Sequence, residues 1–356
     1  MAWLTGWSYR KSHVINYAAG AGTLYQKQIT VHYGSGTDGD DDVYCTVGGV
    51  AHCKTDFGDI RFTDDDGSTE LDYWMESKTN SDNAVFWVEV ADSLESVAQT
   101  IYVYYGNTGV ATTSNGANTF PSLFDDFNRA DSATVGNGWT EDEDAGVGAL
   151  SIDTNRLKTI QYQNYFCHIE KSSPAIANMV LQGKILVTGG QAASWGPMIN
   201  VYWNSYDYIG IGLGYYGGYC YWTHNDINST FSDLYTGTSS INTWYWFRVR
   251  VGSSKVYVDY SPDGVAWTNF ATINRPASWN GNPSLIIVGK GLAVSAVSYP
   301  NADLDNSYAT AADSTTFYVD DVFVRKFTDP EPTHGSWGSE ETSGPIKGWR
   351  KLKYST

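Results

Sequence analysis

Short apolar runs with a period of two recur along the chain. They include "KQITVHY" (27–33), "AVFWVEV" (84–90), "TIYVYYG" (100–106), "YIGIGLGYY" (208–216), "YWFRVRV" (245–251), "KVYVDYS" (255–261) and "TFYVDDVFVRKF" (316–327). Each is rich in β-branched or aromatic residues and bounded by Gly, Asn, Asp or Ser, which predicts strands closed by tight turns. Only "DSLES", Asp92 to Ser96, reads as a turn of helix, with Asp92 or Ser93 as its cap. Many short strands at this spacing predict an all-β chain built of β-sandwiches.

The pattern breaks once. From Asn107 to Asn118 the residues are small and polar, and strand patterning resumes after Pro121. This predicts one β-sandwich over 1–115 and a second over 116–328, in tandem, and 356 residues suffice for two separate cores. Beyond Phe327, "TDPEPTHGSWGSEE" reads as a Pro-stiffened extended strap, 329–356, ending in Lys347, Trp349, Arg350, Lys351 and Lys353. Cations without an acidic neighbour, on a chain that is otherwise acidic, predict a docking tail that fastens to other copies or to neighbouring structural proteins.

Lys and Arg number 22 against 39 Asp and Glu, a formal net charge of −17. That excess repels phosphate backbones and anionic bilayers, so nucleic acid is excluded as a partner of the body. The sequence has no run of 18 apolar residues, so membrane insertion by a helix is not expected, and no signal-peptide pattern opens the sequence. The expected location is extracellular or on a virion surface. Four cysteines are too few for a disulfide scaffold. Cys45 and Cys53 flank a hairpin-like "TVGGVAH", and Cys167 and Cys220 lie in strand-like runs; two disulfides or buried free thiols both fit.

Within the first domain, "DIRFTDDDGSTELDYW" reads as a hairpin turning at Asp65-Asp66-Gly67, with Ile60, Phe62, Leu71 and Tyr73 facing inward. Asp64, Asp65 and Asp66 suit a solvated turn better than calcium, because consecutive side chains diverge. Trp7 to Arg10, Asp56 to Phe62, Asp64 to Gly67, Tyr73-Trp74 and Ile101 to Asn107 resemble the family catalogued as domain of unknown function 2341, over about residues 3–108. The resemblance implies a β-sandwich on a surface, and the later "EPTHGSWGSEE" looks like the segment that follows such modules.

The second domain opens with "FDDFNRADSATVGNGWTE" and closes with "FYVDDVFVRKF". This pairing resembles the concanavalin A-like lectin/glucanase superfamily over about residues 123–327, which implies a jelly roll with adjacent first and last strands. If the ends pair, Asp125 and Asp126 approach Asp320 and Asp321, so a structural Ca²⁺ is expected, or pairing with Arg129 and Arg325 instead. The glucanases of that superfamily carry acid and nucleophile on one strand. Here Glu141, Asp142, Glu143 and Asp144 sit in "TEDEDAG" without β-branched neighbours, and they read as an acidic loop. No other catalytic motif is present, so no catalytic residue is assigned and no enzymatic activity is expected.

Glycan binding is the expected activity. The stretch 201–226 is dense in aromatic rings, on which sugar C–H faces stack, while Asn and Asp bond hydroxyls. The candidates are Trp203, Tyr206, Tyr208, Tyr216, Trp222 and Asp226, although alternation sends at least half of them into the core. The resulting reading is a non-enzymatic structural or adhesion protein of a virion or cell-surface assembly, whose lectin-like domain meets glycans on a host surface. A ligand-free assembly protein and a polysaccharide hydrolase are the alternatives.

Overall fold

A computed structural model describes residues 2–143, 149–161, 167–189, 198–215, 219–227, 230–290 and 315–344. Nearly all of its regular structure is β, and the chain divides into two compact units. The first comprises Met1–Thr119 together with Pro330–Thr356; the second is Phe120–Asp329. The second unit is thus inserted in the sequence of the first.

The first unit contains β1 (Tyr9–Ile15), β2 (Tyr25–His32), β3 (Asp42–Tyr44), β4 (Thr46–Val47), β5 (Val50–Ala51), β6 (Arg61–Thr63), β7 (Tyr73–Thr79), β8 (Asn83–Val90) and β9 (Gln99–Tyr105). The second unit contains β10 (Leu123–Asp125), β11 (Thr140–Glu143), β12 (Ala149–Ile152), β13 (Leu157–Gln161), β14 (Cys167–Ser172), β15 (Met179–Gly189), β16 (Met198–Asn204), β17 (Asp207–Tyr215), β18 (Tyr219–Ile227), β19 (Thr230–Thr236), β20 (Trp244–Val251), β21 (Lys255–Ser261), β22 (Thr268–Asn274), β23 (Leu285–Lys290) and β24 (Thr315–Lys326). After it, β25 (His334–Trp337) and β26 (Glu341–Thr342) return to the first unit.

In the first unit, β3-β2-β8-β7 forms one sheet and β25-β1-β9-β6 another, with β26 also on β1. Alternation sends Ile15, Ile29, Val31, Phe62, Phe86, Val88, Ile101 and Val103 into one core. Ile60, Phe62, Leu71 and Tyr73 are buried as their alternation predicts. The hairpin containing them is a corner, however, since β6 pairs β9 while β7 pairs β8 in the other sheet. The Asp65-Asp66-Gly67 turn is closed by Asp66, which accepts the amides of Ser68 and Thr69 and the Thr69 hydroxyl at 2.6–2.8 Å. Gly67 takes φ +76°, a conformation that suits glycine. Asp92–Ser96 is not helical; a one-turn helix lies instead at Gly116–Thr119.

The segment read as an extended strap is strand from His334. Trp337 pairs opposite His13 and Glu341 opposite Arg10, which it also meets in an ion pair of 2.7 Å. The open edge of β1 supplies the backbone partners that turn the strap into strand.

The second unit is a sandwich. One sheet runs β12-β13-β24-β15-β20-β21-β22 with β10 on β24, and the other runs β11-β14-β23-β16-β17-β18-β19. The expected adjacency of first and last strands is present, with Leu123, Phe124 and Asp125 opposite Val324, Phe323 and Val322. Val, Ile, Leu and Phe from alternate positions of both sheets fill the core. Among the described residues, no helix is long and apolar enough to cross a membrane.

Candidate functional site

The seven-stranded sheet sends Ile169, Ile199, Val201, Ile209, Ile211 and Val288 into the core. The alternate positions therefore line its other face, where an apolar cluster of Tyr202, Tyr208 and Ile287 adjoins polar and glycine positions. Register places them in three rows. Asp142, His168, Gly289, Met198 and Gly212 form the first, and Glu170, Ile287, Asn200 and Gly210 the second. Leu285, Tyr202, Tyr208 and Asp226 form the third.

At one border, the His168 Nε2 lies 3.8 Å from Asp142 Oδ2 and 3.9 Å from Glu170 Oε2. The histidine is fully buried, whereas the Asp142 and Glu170 side chains keep 53% and 31% of their surface. Two solvent-facing carboxylates thus lie beside one buried imidazole, their oxygens within roughly 8 Å of each other. Inward along the face, glycines form the floor. A Cβ on Gly210 would stand 1.9 Å from Asn200 Oδ1, and one on Gly289, at φ +118°, would stand 2.7 Å from the Cys167 carbonyl oxygen. Asn200 is fully buried and its Nδ2 donates to the Ile287 carbonyl at 3.3 Å, while Oδ1 receives no hydrogen bond among the described residues.

The sequence placed the acids correctly in the chain but misjudged their setting. Thr140–Glu143 is an edge strand, with Asp142 opposite His168, and not an acidic loop. Glu141 and Glu143 turn away from Asp142 and accept the amides of Val135 and Leu150. Alternation in "TEDE" was the available signal. His168 and Glu170 had none, because only the register of β14 brings them to Asp142.

The predicted aromatic site divides. Trp203 is a core residue stacked on Trp279 at 4.6 Å, and Tyr208 is fully buried against Tyr202 at 4.5 Å, so neither offers a ring face to a sugar. Asp226 is buried in the third row. Tyr206, 47% exposed in the β16–β17 turn, keeps an open ring. Tyr216 lies outside the described residues, as does the Trp222 side chain, although Trp222 belongs to β18.

The four acids expected to share calcium are held by nitrogen donors instead. Asp125 accepts Phe127 N, Arg129 Nη1, Arg129 Nη2, Asn137 Nδ2 and Trp139 Nε1 at 2.7–3.2 Å. Asp126 accepts Asn128 N. Lys184 binds Asp320 at 3.2 Å and Asp321 at 2.5 Å. Burial, then Asp321, raises the Asp320 carboxyl to about 7. Asp321 occupies φ +51° where β24 bulges against β15, a strained position held by its lysine partner. Among the described residues, the acids whose ligand atoms converge within 4.8 Å are Asp64, Asp65 and Asp92, in the first unit.

Cys45, Cys53 and Cys167 are free and buried. A Cys167–Cys220 bridge is ruled out by topology. Strands β14 and β18 are four strand spacings apart, roughly 19 Å, and a disulfide needs Cα atoms within about 7 Å. The docking-tail residues Lys347, Trp349, Arg350, Lys351 and Lys353 lie outside the described residues.

The first unit has a cavity of about 400 Å³ between Thr37–Gly39 and Gly335–Ser339. Two of its polar groups are already engaged, Asp38 with Lys11 and the Tyr44 amide, and Trp337 Nε1 with the Asp40 carbonyl. It is therefore the weaker candidate.

The family model "Domain of unknown function (DUF2341)" matches residues 56–142. The similarity thus begins later than residue 3 and runs into the first strands of the second unit. No curated protein sequence matches the chain. Among solved structures, the GH43 protein BlXynB from Bacillus licheniformis is 11% identical, with a TM-score of 0.43, over 72% of this chain and 46% of its own. Laminarinase from Flavobacterium sp. UMI-01 is 12% identical, with a TM-score of 0.41, over 57% and 99%. A functionally unknown protein from Saccharomyces cerevisiae is 8% identical, with a TM-score of 0.38, over 53% and 97%. The expectation of a chain without enzymatic activity is corrected by the strand structure of Thr140–Glu143, which removes the ground on which hydrolysis was set aside. At these identities and scores the likeness carries neither a fold nor an activity to this chain. The chain is nearly all β and, over residues 56–142, is similar to DUF2341.

Proposed function

We propose that the second unit recognises carbohydrate at the border of its seven-stranded sheet. The observation that carries this reading is the pair of solvent-facing carboxylates, Asp142 and Glu170, both beside buried His168. Carboxylates accept hydrogen bonds from sugar hydroxyls, and a rigid sheet holds both at fixed separation. Because both side chains are partly exposed, replacing them leaves the core intact. Affinity electrophoresis against a panel of neutral and acidic polysaccharides tests the reading. Retardation by at least one polymer that is lost in Asp142→Ala/Glu170→Ala, with melting unchanged, supports it. Equal retardation of both proteins, or none across the panel, overturns it.

One observation favours a second reading, hydrolysis at the same site. The carboxylate oxygens lie within roughly 8 Å, and glycosidases need acids about 5–5.5 Å apart for retention or about 6.5–9.5 Å for inversion. Reducing-end release that disappears in both Asp142→Asn and Glu170→Gln selects this reading; binding without release selects recognition alone.

A further inference from the structure

The first unit carries a small hairpin, β4–β5, that joins neither main sheet. Its strands have two residues each, pairing Thr46 with Ala51 and Val47 with Val50. The turn is Gly48-Gly49 with φ of +61° and +81°, the left-handed conformation that a two-residue hairpin of right-handed twist requires at both positions. Val47 and Val50 are exposed, so the tip has no apolar support, and two strands of this length are not stable in isolation.

What holds the hairpin lies at its base. The Cys45 amide donates to the His32 carbonyl, and the His52 amide donates to the Cys45 carbonyl, both at 2.9 Å. His52 stacks on Tyr9 with centroids 3.9 Å apart and bonds Glu340 at 2.8 Å. Beside this pair, the chain bends at Cys53, one residue past the amide that bonds the Cys45 carbonyl. Both cysteines belong to the unit's main core, with Cys45 fully buried and Cys53 8% exposed. Two thiols buried in the same core, on facing arms at the neck of an otherwise weakly held hairpin, are placed to be cross-linked.

We propose that Cys45 and Cys53 form a disulfide that staples the β4–β5 hairpin to the sandwich. In balance, the two thiols lose two protons and two electrons as their sulfurs join. A small-molecule disulfide of the glutathione type accepts them and leaves as two thiols. Burial and the neighbouring Cys53 push the Cys45 thiol well above its ordinary range, so the closed hairpin exchanges slowly. The bond therefore forms as the hairpin closes and then persists.

The test uses the full chain, refolded with oxidised and reduced glutathione, then denatured and alkylated with and without prior reduction. Peptide mapping is expected to find Cys45 and Cys53 in one linked peptide that separates only after reduction, with Cys167 alkylated throughout. The stapled loop is short, so the oxidised first unit should melt about 5–10 °C above the reduced one. Cys53→Ser should show no dependence on reductant. Alkylation of Cys45 and Cys53 without reduction overturns the proposal, as does a linked peptide pairing either with another cysteine. If Cys53→Ser fails to fold, mapping of the wild-type chain still decides.

Discussion

Asp125→Asn is the substitution whose consequence can be worked most fully. The Asp125 side chain is 1% exposed and both oxygens are saturated. Oδ1 accepts Phe127 N and Arg129 Nη1, each at 2.7 Å. Oδ2 accepts Arg129 Nη2 at 3.2 Å, Asn137 Nδ2 at 3.0 Å and Trp139 Nε1 at 2.7 Å. An amide replaces one acceptor oxygen by an NH₂ group, and in either rotamer that group faces donors. If it faces Trp139, three donors are orphaned; if it faces Phe127, two are. Each buried orphan costs about 1–3 kcal/mol, while Arg129, 28% exposed, can regain water for part of its loss. The net expectation is about 3 kcal/mol. For a unit of this size that corresponds to a fall of about 6–12 °C in its melting temperature. The assay is thermal unfolding followed by tryptophan fluorescence, because Trp139 belongs to the network. Arg129→Ala should cost less, since Asp125 then keeps three donors. The two changes together should be less than additive, because they remove one interaction. A fall below about 2 °C for Asp125→Asn would refute the reasoning. A calcium-dependent rise in wild-type melting that Asp125→Asn abolishes would show that the carboxylate serves an ion rather than these donors.

Three further outcomes follow from the geometry. Asp320 has a folded value near 7 against an ordinary carboxyl near 4, so its contribution is fully present below the unfolded value and is lost as pH rises through about 7. Wild-type melting should therefore fall between pH 4 and 7.5 by more than that of Asp320→Asn, and parallel curves would contradict this. His13 and His334, bonded at 2.9 Å, are lowered by burial to about 3 and about 2. Their contribution is present above about 6.5 and is lost as pH falls towards the folded values, so acidification should release β25. Trp337, stacked on His13 at 3.8 Å, reports this by fluorescence, and an unchanged signal down to pH 3 would argue against it. Gly210→Ala places a methyl 1.9 Å from Asn200 Oδ1 and should cost about 1–3 kcal/mol in urea unfolding. Adding Asn200→Ala should restore most of that loss, and no restoration would mean that the clash is not with Asn200.

What the sequence determined on its own was whatever depends on local pattern. Period-two alternation fixed the strands, their inward residues, such as Ile60, Phe62, Leu71 and Tyr73, and the all-β class. Turn chemistry fixed Gly67 and Gly48-Gly49. The tertiary structure alone decided which strands lie side by side. "TEDE" acquired its strand conformation from β14, and "THGSW" from β1; neither run contains enough apolar residues to signal a strand by itself. The same dependence governs the candidate site. Asp142 and Glu170 are far apart in sequence and reach one face only through the register of β11 on β14, so no local motif marks them. Alternation could say that half of the rings in 201–226 turn inward but not which half, because a shift of one residue in register exchanges the two faces of a strand. Long-range pairing set that register, burying Trp203 and leaving Tyr206 in solvent.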